Sequence, residues 1–229
     1  MSDTCAIDGL PPDQGPSDEF DPGPGKHVLF FGDPMCSWCW GFAPELQKIH
    51  AACDGLATFH VIMGGLRPGT VETWDQAMRD YIRHHWEEVE AKTGQPFDYA
   101  RFDDESFVYD TEPGCRAVVA ARELDPAKAL NMYEALQRGF YAEGLDITKP
   151  EVLIKAAVTV GYDRARFEEV LTSPEARALV MYDFKRARAF GVTGFPTLMC
   201  AEDGQFAALA LGYRPYTAIG PLLQEWLNA

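Results

Sequence analysis

The sequence predicts an α/β fold in which a long helical segment interrupts one sheet. The first observation is a β-α-β pattern: the apolar run HVLFF, helical spacing of apolar residues from Cys36, and a second run, LATFHVIM. The second is a series of amphipathic segments bracketed by Pro, Gly or Asp, which makes roughly residues 68–185 helical. The third is a β-β-α pattern at the end, where two apolar runs flank EDGQ before the amphipathic PYTAIGPLLQEWLNA. This order predicts a sheet with a helical domain inserted between its halves.

The same pattern divides the chain into three parts. Residues 1–25 hold six acidic residues, five prolines and no basic residue, so we expect a mobile acidic tail with Cys5 exposed in it. Residues 26–67 and 186–229 are predicted to form the sheet domain. Residues 68–185 are predicted to form the inserted helical domain.

Charge and composition exclude several classes of partner. The chain of 229 residues carries 20 basic and 35 acidic residues, a formal net charge of −15, which disfavours nucleic acid and anionic membrane surfaces. Apolar runs such as FAALAL are too short to cross a bilayer. The first 25 residues lack the features of a secretory signal, so we expect a cytoplasmic protein whose six cysteines are mostly thiols.

The stretch HVLFFGDPMCSWCWGF carries the strongest chemical signal. It sets Cys36 and Cys39 three positions apart at the predicted start of a helix, where the two side chains face the same way and can close a small disulfide ring. The helix N-terminus favours a thiolate at Cys36, which would attack other disulfides, while Cys39 would resolve the mixed disulfide. Trp38 and Trp40 are expected to add an apolar rim for a polypeptide substrate.

A metal site and a structural disulfide are the other interpretations of this pair. Zinc would need further ligands, and the chain has no second C-x-x-C and no H-x-x-x-H. The neighbouring His84 and His85 would project to different faces of their helix. A cytoplasmic location disfavours a structural disulfide, so redox chemistry without a metal or an organic cofactor is favoured.

These motifs resemble a known family. CSWC after a strand, with GVTGFPTL before a hairpin, resembles the thioredoxin superfamily, and the helical block between them is typical of its DsbA-like branch. DPMCSWCWGF, GGLRPG and GFPTL are similar to the FrnE-type bacterial proteins, often described as predicted protein-disulfide isomerases. The resemblance covers about residues 26–229.

The resemblance implies a thioredoxin fold and a thiol–disulfide oxidoreductase of the reductase or isomerase type, acting on protein or peptide thiols and disulfides. Cys36 would be the attacking thiol and Cys39 the resolving one. Pro196 would be a cis-proline packed against the cysteines, and Phe195 would offer its backbone to a substrate in β fashion.

Two departures from DsbA weaken the expected stabilisation of the thiolate. DsbA has a histidine between its cysteines, whereas this chain has Ser37 and Trp38, neither of which is a cation. Thioredoxin and DsbA place a buried carboxylate six positions before the first cysteine, where this chain has Phe30. Asp33 is closer in sequence, but its negative charge would oppose a thiolate. We therefore expect reduction or isomerisation rather than oxidation.

Other residues are secondary candidates. The loop MGGLRPGT follows the second strand and should approach Cys36, so Arg67 could stabilise a thiolate or bind a substrate carboxylate such as that of glutathione. The alternative for Arg67 is a solvated position in a hinge. Helix capping is the preferred explanation for a group at the next predicted helix: Thr111, Glu112 and Arg116. Small core positions are predicted for the remaining cysteines: Cys53, Cys115 and Cys200.

Two further functions stay open. One is a glutathione-dependent small-molecule enzyme, similar to the kappa-class transferases and hydroxychromene-carboxylate isomerases, although these typically have serine where this chain has Cys36. The other is a non-enzymatic partner-binding or chaperone module that uses Trp38, Trp40 and the cleft.

Overall fold

A computed structural model of the chain describes the strand Cys5–Ala6 and residues 22–229. Of the predicted acidic tail, residues 1–4 and 7–21 lie outside the described residues, and so does the predicted exposure of Cys5. The sequence predicted no strand or helix in the tail, yet Cys5–Ala6 forms a short strand because its backbone pairs with a distant segment, Gly194–Phe195.

Two sheets organise the described strands. The four-stranded sheet has the order β3-β2-β5-β6, and β1 pairs with β4 in a separate two-stranded sheet. β2 runs parallel to β3 and antiparallel to β5. The strands are β1 (Cys5–Ala6), β2 (Lys26–Gly32), β3 (Thr58–Met63), β4 (Gly194–Phe195), β5 (Thr197–Glu202) and β6 (Gln205–Leu211).

Local chemistry explains the centre and the edge of the main sheet. β2 is rich in β-branched and aromatic residues and is paired on both sides, with Phe31 opposite Ile62 on β3 and Thr197 on β5. The β5–β6 hairpin turns through Asp203 (φ 50°) and Gly204 (φ 75°), the left-handed backbone that a tight two-residue turn needs. The hairpin predicted from EDGQ is confirmed.

Eight α-helices complete the described part of the chain. The helices are α1 (Ser37–Ala52), α2 (Gln76–Thr93), α3 (Glu112–Leu124), α4 (Ala129–Tyr141), α5 (Pro150–Val160), α6 (Arg164–Thr172), α7 (Pro174–Ala189) and α8 (Tyr216–Asn228). Six of them lie between β3 and β4, and α3 and α7 pack against β3. The predicted β-α-β, helical and β-β-α order is confirmed, while the domain boundaries at residues 67/68 and 185/186 stay predictions.

Helix α2 begins later than the sequence pattern indicated. Within the helical series, the amphipathic segment VETWDQAMRDYIRHHWEEVEAKTG predicts a helix from Val71 to Gly94. The helix starts at Gln76 because the carboxylate of Asp75 accepts the backbone N–H of Met78 at 2.8 Å and caps it there. Its predicted end at Gly94 is confirmed, where the left-handed backbone (φ 74°) terminates the helix. In the part of the chain that the structure describes, no helix has the length and apolar character needed to cross a membrane.

A buried ion pair ties the inserted helices to the end of β3. The carboxylate of Asp183 on α7 accepts hydrogen bonds from the Arg122 guanidinium at 2.7 Å and from the backbone N–H of Met63 at 3.0 Å. Arg122 also donates to the carbonyl of Val61 at 2.9 Å. Only 1% of the Asp183 side chain is exposed, so removing this carboxylate would leave the Arg122 guanidinium and the Met63 N–H without the acceptor that they share.

We predict that Asp183→Ala lowers the free energy of unfolding by about 3 to 5 kcal/mol, the usual cost of breaking a buried ion pair. Urea denaturation measures the change. Glu169→Ala is the matched control, because the Arg166–Glu169 pair is 65% and 68% exposed. It should change stability by less than about 1 kcal/mol, and equal losses in the two variants would contradict the assignment.

Two histidines meet across β2 and β3. His27 Nδ1 and His60 Nε2 lie 3.0 Å apart, so one ring donates and the other accepts. Burial lowers the pKa of His60 to about 4, and the positive charges of His27, Arg186 and Arg122 act in the same direction. The sequence pattern missed this pair because the two residues are far apart in the chain.

The lowered pKa predicts a pH dependence of stability. Between about pH 6.5 and about pH 4 the unfolded chain binds a proton at residue 60 that the folded chain does not, so the free energy of unfolding should fall as pH falls through this range. His60→Gln should show a shallower fall in urea titrations at each pH. His84→Gln, whose parent side chain is 60% exposed, is the control and should keep the wild-type slope. Identical slopes for all three proteins would refute this role.

Candidate functional site

Cys36 occupies the N-cap position of α1. The preceding turn is closed by the Cys36 N–H, which donates to the carbonyl of Asp33 at 3.0 Å. Cys36 Sγ then accepts the backbone N–H of Cys39 at 3.4 Å, in the place usually taken by an oxygen of Ser, Thr, Asp or Asn. An N–H directed at the sulfur, together with the helix N-terminus, stabilises negative charge on Sγ. The predicted helix start at Cys36 is confirmed.

The segment before β5 lies against this sulfur. The Phe195–Pro196 peptide bond is cis, and Cys36 Sγ donates to the carbonyl of Phe195 at 3.6 Å. Gly64 makes room for the Phe195 ring, since a Cβ at residue 64 would meet that ring at 1.9 Å. The sulfur is thus placed beside a backbone carbonyl on one side and a helix N-terminus on the other.

Asp33 is the polar centre beneath the site. Its side chain is fully buried, and its carboxylate accepts the N–H of Met35 at 2.9 Å, the N–H of Leu66 at 2.7 Å and the thiol of Cys115 at 3.3 Å. Burial raises the pKa of Asp33, and these hydrogen bonds partly offset the effect. From the sequence we expected Asp33 only to oppose a thiolate through its negative charge. In the structure its carboxylate also binds the loop after β3 through the N–H of Leu66.

Cys115 has a polar role within the core. It is buried as predicted, but its thiol donates to Asp33. Burial and the nearby carboxylate raise the pKa of Cys115 well above its ordinary value, so this thiol stays protonated and remains a donor. Cys53 and Cys200 are also buried, as expected.

The loop that carries Arg67 reaches the turn before Cys36 through these contacts. The Arg67 guanidinium lies over the ring of Tyr109 at 5.9 Å, and the Tyr109 hydroxyl donates to the carbonyl of Met35, the residue before Cys36. The structure thereby brings Arg67 to the side of the site. Its contact with substrate stays a prediction.

Thr111 occupies the N-cap position of α3, as predicted, but its side chain does not cap the helix. Its side chain makes no cap hydrogen bond; it is fully buried, and its oxygen accepts the N–H of Arg67 at 3.1 Å. Asp110 instead accepts the N–H of Glu112 at 3.0 Å. Glu112 forms an ion pair with Arg116 at 2.7 Å. The Thr111 side chain is thus used by the loop that carries Arg67, a contact over 44 residues that a helix pattern alone could not show.

The expected apolar rim is wrong for Trp40. Its indole N–H donates to the carbonyl of Pro96 at 3.0 Å, and its ring stacks on Tyr141, so it packs against the inserted helices. Trp38 lies 6.1 Å from Tyr213 between ring centroids and is 4% exposed. Trp38 is therefore covered in this conformation, and its substrate-binding role stays a prediction.

Tyr133 on α4 is a site residue that the sequence analysis missed. Its hydroxyl donates to the carbonyl of Asp33 at 3.1 Å and accepts from Gln137 at 3.3 Å. Burial raises the pKa of Tyr133 well above its ordinary value, and Cys39, within hydrogen-bonding contact, raises it further. The raised pKa keeps the hydroxyl protonated, so it can also serve as a donor to negative charge on Cys39 in the reduced pair. A tyrosine on an amphipathic helix carries no sequence signal for this contact.

Tyr133→Phe removes that donor. We predict a more negative reduction potential of the Cys36–Cys39 pair, seen as about a two- to tenfold change in the equilibrium constant with glutathione, the range of one hydrogen bond. Tyr141→Phe removes another buried hydroxyl of the same helix and is the control. A shift of the same size in both variants would mean that the effect comes from packing.

Comparisons with known proteins agree with this geometry. Residues 27–216 match the family model described as the DSBA-like thioredoxin domain. The chain belongs to this family. The predicted DsbA-like branch and thioredoxin fold are confirmed.

Two solved structures are similar over nearly their whole length. A proposed protein disulfide isomerase from Nitrosomonas europaea is 36% identical with a TM-score of 0.84, covering 89% of this chain and 98% of that one. The cytosolic disulfide reductase DsbM from Pseudomonas aeruginosa is 27% identical with a TM-score of 0.72, covering 89% and 100%. DsbM is also known in a structure with GSH, which is 26% identical to this chain.

Curated relatives are more distant in sequence. The ClpXP adapter protein SpxH of Halalkalibacterium halodurans is 23% identical over 88% of this chain and 67% of the adapter. The Bacillus subtilis adapter of the same name is 22% identical over 75% of this chain, which spans only 56% of that adapter's length.

Proposed function

We propose that the protein is a thiol–disulfide oxidoreductase of the reductase or isomerase type, in which Cys36 attacks and Cys39 resolves. The observation that carries the proposal is the placement of Cys36 Sγ: it accepts the Cys39 N–H at the start of α1 and lies 3.6 Å from the carbonyl of Phe195. A sulfur held in this way has stabilised negative charge and a neighbouring backbone on which an extended peptide can align.

The reaction proceeds in two exchanges. The Cys36 thiolate attacks one sulfur of a substrate disulfide, forming a mixed disulfide and releasing the first substrate thiol, which takes up a proton. Cys39 then loses its proton and attacks Cys36 Sγ, forming the Cys36–Cys39 bond and releasing the second substrate thiol. Two electrons pass from the protein to the substrate, and two glutathione molecules can return them. In isomerisation a second substrate thiol resolves the mixed disulfide instead.

The reductive direction is supported by the groups around the pair. Ser37 and Trp38 supply no cation to the thiolate, so the reduced pair lacks this stabilisation, and a less stabilised reduced pair has a more negative reduction potential. DsbM is named a cytosolic disulfide reductase and has been solved with GSH. We extend both features to this protein: a cytoplasmic location, and glutathione as a partner beside protein or peptide disulfides.

Partner binding without redox chemistry is the second candidate function. The observation that favours it is the sequence similarity to adapter proteins of ClpXP. A glutathione-dependent small-molecule enzyme is less well supported, because Cys36 stands where the enzymes compared above typically have serine.

The roles of the two cysteines are separable by substitution. Cys36→Ser should reduce insulin turnover with glutathione to the uncatalysed rate, since the attacking sulfur is lost. Cys39→Ser should still attack and should accumulate mixed disulfides, detected by mass spectrometry, because no second thiol resolves them. Cys53→Ala, at a buried position beyond the end of α1, is the control and should keep turnover.

Two outcomes would contradict these roles. One is faster alkylation of Cys39 than of Cys36 at neutral pH, which would reverse the assignment. The other combines two observations. The cysteines of the folded wild type do not react, and the Cys36→Ser/Cys39→Ser variant still binds a protein partner, which would favour the adapter function.

A further inference from the structure

We propose that the strand β1 (Cys5–Ala6) occupies the substrate position beside Phe195, and that Cys5 is a third redox-active thiol that exchanges with the Cys36–Cys39 pair. The inference rests on the proposed function, since it needs an attacking sulfur at Cys36. It assigns a chemical role to a cysteine that the sequence pattern left in an acidic tail.

The backbone pairing of β1 carries the inference. Cys5–Ala6 runs antiparallel to Gly194–Phe195, with residue 5 opposite Phe195 and residue 6 opposite Gly194. Opposed residues of an antiparallel pair have Cα atoms about 4.5 to 5.5 Å apart. The carbonyl of Phe195 is the group that accepts from Cys36 Sγ. Residue 5 is thus aligned with the residue that contacts the attacking sulfur.

Strand addition of this kind is a recurrent way to bind an extended peptide. Here the added strand comes from the same chain, and a cysteine occupies the position opposite Phe195. A substrate that presents a disulfide to Cys36 would need to place one of its own sulfurs near the same point. Cys5 is therefore a built-in counterpart of the substrate cysteine.

The burial of the attacking sulfur agrees with a substrate position that is already occupied by β1. Cys36 and Phe195 have no exposed surface. A sulfur that attacks protein disulfides has to be reached by them, so its cover must leave during the reaction. β1 pairs with Gly194–Phe195 over only two residues, and isolated two-stranded pairs are only marginally stable. A protein substrate can therefore displace β1 from Gly194–Phe195.

The exchange balances without an external oxidant. In the oxidised protein the Cys5 thiolate attacks Cys36 Sγ, the Cys5–Cys36 bond forms and the Cys36–Cys39 bond breaks. Cys39 takes up the proton that Cys5 gave up, so the number of disulfides and of electrons is unchanged. In the product, the Cys5–Cys36 disulfide keeps β1 covalently bound in the substrate position.

A trapping experiment on the full-length chain tests the inference. Cys39→Ser removes the competing internal disulfide, and oxidised glutathione then offers Cys36 a partner in solution. We expect peptide mapping under non-reducing conditions to find a Cys5–Cys36 disulfide as the main product. Cys36 carrying only glutathione, with Cys5 unmodified, would overturn the inference.

A matched control distinguishes a paired strand from a tethered thiol. Cys5→Ser/Ala6→Cys in the Cys39→Ser background moves the sulfur by one residue. The crosslink should fall by at least about tenfold, because successive residues of a strand face opposite sides. Equal crosslinking from positions 5 and 6 would mean that the segment reaches Cys36 only by diffusion, and would overturn the assigned register.

Failure of this inference is separable from failure of the proposed function. Cys5→Ser with both active-site cysteines intact is assayed for insulin reduction. Turnover by this variant together with no Cys5–Cys36 crosslink would reject the inference alone. No turnover by either this variant or the wild type, with Cys36 unreactive to alkylation, would reject both.

Discussion

The buried carboxylate and carbonyl of Asp33 hold the site together. The carboxylate accepts the N–H of Leu66 and the thiol of Cys115, while the carbonyl accepts the N–H of Cys36 and the hydroxyl of Tyr133. An ionisable group without exposed surface is costly unless its oxygens are hydrogen-bonded, so this residue forces four separate segments to meet. The turn before α1, the loop after β3, α3 and α4 are placed relative to each other by one side chain and its backbone.

The inserted helices contribute polar side chains to the site as well as packing. Tyr133 comes from α4 and Cys115 from α3, and both lie beside groups that neighbour the redox pair. The ion pair of Asp183 with Arg122 fixes the end of β3, from which the loop that meets Asp33 departs. The insertion therefore contributes polar groups around the cysteines, while the sheet side supplies the Asp33 turn and the Phe195 carbonyl that contacts Cys36 Sγ.

The same arrangement explains how substrate access and redox chemistry are coupled. Phe195 contacts the attacking sulfur through its carbonyl and pairs through its backbone with an extended segment. Under the proposed function, a peptide paired with Phe195 would lie beside Cys36. Backbone recognition of this kind tolerates many sequences, which would suit an enzyme that acts on disulfides in different proteins.

The sequence by itself determined the order of strands and helices and the Cys36–Cys39 pair, because these depend on periodicity, turn residues and short spacings within one segment. Through its resemblance to a family it also indicated the cis bond before Pro196. Only the tertiary structure decided the partners of this pair. The bond from Tyr133 to Asp33 spans 100 residues, and Thr111 serves a distant loop instead of its own helix. Such contacts arise when buried polar groups must find partners across the packed core, and no local pattern records which distant residue will supply them.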